Sequence, residues 1–386
     1  MSKQDIFAYI DSLEQDGLAL WQHLVEKETF SSDKEAVNEL AEHLDTYCAA
    51  LGFMTKVHYY TEAGAGFTAQ TPKGNLPGVL LMGHLDTVHP RGSFQPLFRE
   101  AQDFVYGPGI YDCKGGVAVA ILAMKALKDC GYQERQLKLV LTGDEEVAHT
   151  LSQGEAVHLY EENLQDFCVG FNMESGYLDG SVVTSRKGGA IIKVCVAGIS
   201  AHSGKNPEQG ASAVREAARQ ILAIEALTDF AGTVYNCGHI TGGTGANVIP
   251  DSCEYAIGLR YCTNVGYEEA LAHIKRICTE ENLPHTSAQY KLTGYFPAME
   301  KTPKTDALFE LYQKEAQKLG CKVPAALFSG GCSDASYVAK KGTPTLCSVG
   351  VRGVDNHTKQ ERAITDSLLE RTKILVATIL SLPADF

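Results

Sequence analysis

No apolar run in this 386-residue chain approaches the length of a membrane span. The opening stretch, "MSKQDIFAYIDSLEQDG", sets charges where a secretory leader needs an apolar core. Positive charge is also short: 34 Lys and Arg stand against 47 Asp and Glu, a formal net charge of −13. A surface of that sign repels phosphate backbones and anionic headgroups, so neither nucleic acid nor a membrane is an expected partner. The twelve cysteines lack the close pairing of a zinc ribbon or a small disulfide scaffold. Reduced, mostly buried thiols and a cytoplasmic location are expected. Internal repeats and low-complexity segments are absent as well.

What is present is a soluble, globular composition long enough for two domains. Residues 4–51 read as helix, with a serine cap in "SSDKEAVNEL" and a stop at Gly52. Strand signals follow at "KVHYYT", "GFTAQT" and "GVLLMG", then a helix at "KGGVAVAILAMKALKDCG" and strands at "QLKLVLTG" and "DFCVGFNME". Strands separated by helices imply an α/β sheet. Near residue 180 the pattern changes. "AIIKVCVAG", "QGASAVREAARQILAIEALT", "GTVYNCGHIT", "CEYAIGLRYCT", "GYEEALAHIKRICTEENL" and "HTSAQYKLTGY" read as β-α-β-β-α-β, the ferredoxin-like order. Helix, strand ("TPTLCSVGV") and helix then resume at 305–381. The expected fold is a split α/β domain, 1–180 and 298–386, with helices on a mixed sheet and an inserted α+β domain at 181–297.

The chemistry gathers where the predicted sheet strands end. His84 and Asp86 follow "VLLMG". Asp144, Glu145 and Glu146 follow "LVLTG", Glu174 follows "CVGFNM", and Asp355, Asn356 and His357 come shortly after "TLCSVGV". Asp112 precedes a helix start in "YGPGIYDCKGG". Ligands of α/β sheets bind at the carboxyl ends of strands. Clustered carboxylates repel one another, and burying several is costly without a cation. Histidine with carboxylate suits Zn²⁺ or a similar transition ion, and a pair of ions needs a bridging carboxylate. Asp86 fits a carboxylate that orients a metal-bound histidine. Of the adjacent Glu145 and Glu146, one binds metal while the other handles protons.

In order, "MGHLDTVHP", "YGPGIYDCKGG", "TGDEEV", "NMESG", "GISAHSG", "GGTGANVIPD", "SGGCSDASYVA" and "NHTKQERA" resemble the motifs of the di-zinc aminopeptidase, carboxypeptidase G and aminoacylase family. That family includes succinyl-diaminopimelate desuccinylase and acetylornithine deacetylase, and the chain is nearest in feel to the glutamate carboxypeptidase branch. The resemblance implies that Asp112 bridges two zinc ions, His84 and Glu174 completing one site and Glu146 and His357 the other; Co²⁺ or Mn²⁺ are alternatives. It implies Glu145 as general base and Asp86 as orienter of His84. It further implies that His202 is supplied by a partner subunit to steady the oxyanion. Asn247 and Arg260 would hold the substrate carboxylate, and Gly330 and Gly331 would let backbone N–H groups approach it. The implied function is hydrolysis of the amide bond of a short peptide, with release of a C-terminal amino acid, or of an N-acyl amino acid, by a water that zinc activates. The inserted domain would act as a lid and pair two copies into a homodimer.

The family pattern is not met everywhere. Cys113 stands where an aspartate is frequent after the bridging residue, and the cis peptide between them is expected to survive. "VAHTLSQG" replaces a glycine-rich stretch. "LTGYFPAM" lacks the arginine of the glutamate carboxypeptidase branch, and Arg352, just before His357, is the candidate substitute. Cys113 beside Lys114 at a helix start predicts a lowered thiol pKa, the basis of an alternative cysteine hydrolase. A catalytically silent metal-binding protein is the other alternative. His89, His149, His158 and His239 are expected to be structural or solvated. Asn247 alternatively caps a turn, and Arg260 alternatively pairs with a surface acid.

Overall fold

The N-terminal helical stretch divides into three helices, Lys3–Ser12, Glu14–Glu26 and Lys34–Ala50, in the computed structural model, which describes residues 3–280 and 282–386. Glu281, at the end of a stretch read as helix, and the first two residues of the chain lie outside the described residues. The cap of the third helix is Asp33, whose side chain accepts from the Ala36 N–H at 3.2 Å, rather than a serine. The Ser31 hydroxyl instead donates to Asp86 at 2.7 Å. Gly52 follows the helix with φ +83°, a conformation that costs glycine little.

The chain divides into two compact units. One takes in residues up to Ser185, Lys301–Phe328 and Ser333–Phe386; the other takes in Arg186–Glu300 and Ser329–Cys332. The first unit is built on an eight-stranded mixed sheet. Its strand order is Met54–His58, Gly66–Gln70, Arg135–Thr142, Leu76–His84, Phe167–Asn172, Thr345–Cys347, Val182–Arg186, Ala326–Ser329. Leu76–His84 runs parallel to both its neighbours, and Thr345–Cys347 runs parallel to Phe167–Asn172. Strands buried on both faces carry continuous apolar runs, which is why "GVLLMG" does not alternate. Parallel pairing also brings the carboxyl ends of three central strands, at His84, Thr142 and Asn172, to the same edge. The helix Gly115–Asp129 is apolar on nearly every face and almost wholly buried, against the sheet and the closing helix Ser367–Ile379. Truncating one of its buried leucines, Leu122, would cost about 2–5 kcal/mol. At Gly116 in its first turn a Cβ would lie 1.7 Å from the Met173 carbonyl oxygen, so only glycine fits there. A small antiparallel sheet, Gly353–Val354, Arg362–Ile364, Phe104–Tyr106 and Arg99–Ala101, ties the C-terminal loop to the segment that leads into Asp112.

The second unit has the strand Gly188–Ala197, helix Ala213–Glu225, strands Val234–Gly242 and Ser252–Tyr261, helix Asn264–Lys275 and strand Ser287–Phe296. The four strands are antiparallel, with Ser252–Tyr261 and Gly188–Ala197 central and Val234–Gly242 and Ser287–Phe296 at the edges. Alternation is strict here: Ile192, Val194 and Val196 enter the core with Tyr255, Ile257 and Leu259, while Ile191, Lys193 and Cys195 face outward. Several short strands went unread in the sequence, Val182–Arg186 among them; "VVTSR" is too short and mixed to stand out.

Candidate metal centre

At the strand edge of the first unit, His84 Nε2 lies 3.4 Å from Asp112 Oδ1 and 3.8 Å from Glu174 Oε1. His357 Nε2 lies 3.4 Å from Asp112 Oδ2 and 3.2 Å from Glu146 Oε2. Two triads result, His84–Asp112–Glu174 and Asp112–Glu146–His357, with the ligand atoms of each within 4.8 Å of one another. Asp112 belongs to both. Its chain has left helical geometry (φ −119°, ψ 96°), and the Asp112–Cys113 peptide is cis.

The donor set fits divalent cations. His84 Nε2, Asp112 Oδ1 and Glu146 Oε1 are buried without a hydrogen-bond partner, although buried polar atoms are nearly always paired. All three belong to triad residues. His84 Nδ1 meets the Asp86 carbonyl oxygen at 3.0 Å, so Nδ1 carries a proton, and Nε2 is the ring nitrogen that faces Asp112 and Glu174 and would be the one to bind a cation. Burial, and then Glu174, push the Glu145 carboxyl well above the usual carboxylate range, and burial raises Glu146 as well. Asp112 goes the other way: burial opposes its charge, but the His357 and His84 imidazoles hold it well below that range. Hydrogen bonds to Asp112 and Glu146 raise His357 to about 10. Four carboxylates, Asp112, Glu145, Glu146 and Glu174, thus face two imidazoles, and divalent cations would redress the balance.

Asp86 stands somewhat differently from expectation. Its carbonyl oxygen, more than its carboxylate at 3.4 Å, meets His84. The carboxylate accepts from the backbone N–H of Glu145 at 3.1 Å and of Glu146 at 3.2 Å, and from Ser31. One side chain therefore fixes the short turn Glu145–Val147 that presents both glutamates.

His89 and His149 are buried against carboxylates. His89 Nε2 donates to Glu361 Oε2 at 2.6 Å. His149 lies between Asp144 (3.1 Å) and Asp334 (2.6 Å), and Asp334 also accepts from Thr142 at 2.9 Å and from Tyr160. This network closes the "VAHTLSQG" stretch, where Ala148 and His149 hold positive φ without being glycine. Burial opposes the His149 charge, yet the two aspartates raise its pKa to about 10. Asp334 and Glu361 had no role assigned from the sequence. Glu361 sits four residues beyond His357 in "NHTKQERA", and that spacing was the available signal.

Two expectations are corrected. The Cys113 thiol is not lowered: complete burial pushes it up to about 11, and it packs against the His84 backbone. Arg352 offers no open charge, because its guanidinium donates to Leu178 O and to Glu370, each at 2.9 Å.

His202, Asn247, Arg260, Gly330 and Gly331 all belong to the second unit and are exposed. The Ser203 N–H donates to Asn247 O at 3.0 Å, which sets His202 beside Asn247. His202 Nδ1 accepts from the Gly204 N–H at 3.1 Å, leaving the ring proton on Nε2. Arg260 donates to Leu259 O, and a Cβ on Gly189 would crowd both its guanidinium and the Cys332 sulfur. A Cβ at Gly330 would meet nothing within 4 Å, so packing does not demand glycine there.

Residues 80–381 match the model of peptidase family M20/M25/M40. The chain belongs to that family. It is 27% identical over 369 residues to carboxypeptidase G2 of Pseudomonas sp. (strain RS-16), covering 93% of this chain and 87% of that one. Identity is also 27% over 310 residues to succinyl-diaminopimelate desuccinylase of Stenotrophomonas maltophilia (strain R551-3), covering 76% and 80%. Its fold matches aminopeptidase PepT of Bacillus cereus with a TM-score of 0.76 at 22% identity, over 95% and 98% of the two chains. This member of family M20/M25/M40 is a metal-dependent amide hydrolase of the metallopeptidase and amidohydrolase kind.

Proposed function

We propose that the enzyme is a two-cation hydrolase that releases a C-terminal amino acid from a short peptide, or the acyl group from an N-acyl amino acid. The observation that carries this reading is Asp112, one carboxylate shared by two triads, with His84 Nε2, Asp112 Oδ1 and Glu146 Oε1 buried there without a hydrogen-bond partner. His84, Asp112 and Glu174 would hold one ion, and Asp112, Glu146 and His357 the other; zinc suits these ligands, and cobalt or manganese would fit them too. Bound there, the pair would polarise the scissile carbonyl and acidify water.

The protein's own groups do the rest. Glu145, buried beside the triads on the turn that Asp86 holds, takes the proton of the attacking water and passes it to the leaving amine. Its burial keeps competing water away and makes the transfer responsive to the local field. His202, with its proton on Nε2, donates to the developing oxyanion, supplied across a homodimer of the second unit acting as a lid. Arg260 and Asn247 bind the substrate carboxylate, and the Gly330–Gly331 backbone lies along it. Carboxypeptidase G2 and succinyl-diaminopimelate desuccinylase are, as their names state, a carboxypeptidase and a desuccinylase, which supports both the peptide and the N-acyl amino acid reading. The enzyme works in the cytoplasm on such small substrates.

The test is a hydrolysis screen over dipeptides and N-acyl amino acids, with chelator-stripped enzyme reloaded with zinc, cobalt or manganese. Turnover that returns with metal on at least one of these substrates is expected. Turnover that survives stripping, or full loss on thiol alkylation of the loaded enzyme, would overturn the reading in favour of a cysteine mechanism.

A further inference from the structure

The bridging aspartate stands on a segment with little regular structure of its own. Between the strand Phe104–Tyr106 and the helix Gly115–Asp129 the chain turns at Gly109 (φ +68°) and leaves helical geometry at Asp112. Backbone N–H groups in such a turn lack ladder partners, and left buried they carry a desolvation penalty. Here one remote side chain takes three of them. Glu361 Oε1 accepts from Tyr111 N–H and Asp112 N–H, both at 2.9 Å. Its Oε2 accepts from Gly109 N–H at 3.2 Å and from His89 Nε2 at 2.6 Å.

Four donors fill the four acceptor positions of a carboxylate that is 1% exposed. Because the acceptor is anionic, these bonds are of the stronger, charge-assisted kind. Glu361 also joins three ligand-bearing stretches. It lies four residues beyond His357. It touches His89, five residues beyond His84, and it holds the backbone of Asp112 itself. The adjacent ladder pairs Arg362 with Tyr106, so the carboxylate continues that sheet into the turn. Asn356, from the same loop, donates to Asp112 Oδ2 at 2.9 Å.

We propose that Glu361 is the positioning residue of the bridging aspartate: clamped by Gly109, Tyr111, Asp112 and His89, it sets where Asp112 stands between the two cation sites. The inference rests on the two-cation reading above. Since Asp112 serves both triads, loosening Glu361 weakens both ions together, whereas loss of a ligand private to one triad weakens one. An amide at position 361 turns N–H groups toward donors that need an acceptor.

The experiment is competition titration of zinc into the full-length, chelator-stripped enzyme, with melting of the metal-free protein measured in parallel. Glu361→Gln is expected to lower the affinity of both zinc equivalents by about 10- to 100-fold, the range for groups that support metal ligands. Glu174→Gln is expected to lower one. His89→Leu, which removes a single donor, gives a smaller loss at both sites, and His89→Gln, which restores a donor, recovers it; this pair carries the test if Glu361→Gln does not fold. Unchanged zinc affinity in Glu361→Gln and His89→Leu overturns the proposal. So does weakening of one equivalent alone, or a lower metal-free melting temperature with affinity intact. A wild-type chain that takes up fewer than two zinc ions overturns the two-cation reading instead, which separates the two failures.

Discussion

Two charge clusters of imidazoles and carboxylates lie at the same edge of the first unit, one buried throughout and the other open to solvent at His357. One is His149 between Asp144 and Asp334, completed by Thr142, Tyr160 and the Ser152 N–H, which reaches Asp144 at 2.8 Å. The other is His84, Asp112, Glu146, Glu174 and His357, with three inward atoms unpaired. Buried imidazoles and carboxylates are therefore no sign of a metal by themselves. The first cluster pairs its imidazole with both aspartates, which accept further from Thr142, Tyr160 and Ser152, and acts as a brace; the second leaves three buried polar atoms without a partner. Whether acceptors outnumber donors is what separates a brace from a ligand set.

The sharpest way to break that contrast is Asp112→Asn. It is expected to strip both ions and abolish turnover, read by metal content after gel filtration; two ions retained would show that Asp112 does not bridge. Next is Glu145→Gln, where metal content stays at two while kcat falls by about 10²- to 10⁴-fold. A kcat near that of the wild type would remove Glu145 as the base. In the brace, His149→Leu should leave metal content unchanged but cost about 3–5 kcal/mol of stability in denaturant unfolding, since it strands two buried aspartates. A loss below about 1 kcal/mol would mean the pair is not charged.

The last test is a pH dependence. The folded pKa of His149 is raised to about 10, so its contribution is fully present below the unfolded value near 6.5. That contribution declines as pH climbs from there through about 10. Stability of the wild type over this window should therefore fall more steeply than that of His149→Leu, and parallel slopes would contradict the assignment.

Much of this was legible before any coordinates. The apolar runs ending in His84, Thr142 and Asn172 announce parallel strands, and strand ends rich in His, Asp and Glu announce a cation site. The strict alternation of "AIIKVCVAG" announces a sheet with one open face. What escaped reading depends on side chains reaching across the chain. Only its spacing from His357 hints at Glu361, nothing local marks it as the acceptor for a turn some 250 residues earlier, and nothing marks Asp334 as the partner of His149. Cys113 misled for the same reason: its neighbour Lys114 suggests an activated thiol, but the sulfur is sealed under the His84 backbone, and depth outweighs a nearby charge. Arg352 looked available because Glu370 and Leu178 are distant in sequence.

The insertion of the second unit between Glu174 and His357 has a consequence for biosynthesis. A ribosome delivers His84, Asp112, Glu146 and Glu174 early, then the whole inserted unit, and only then His357 with Glu361. A nascent chain thus holds His84, Asp112, Glu146 and Glu174 without His357 and Glu361 for as long as the second unit is being made, so the two triads of the cluster can meet only after that unit has left the ribosome.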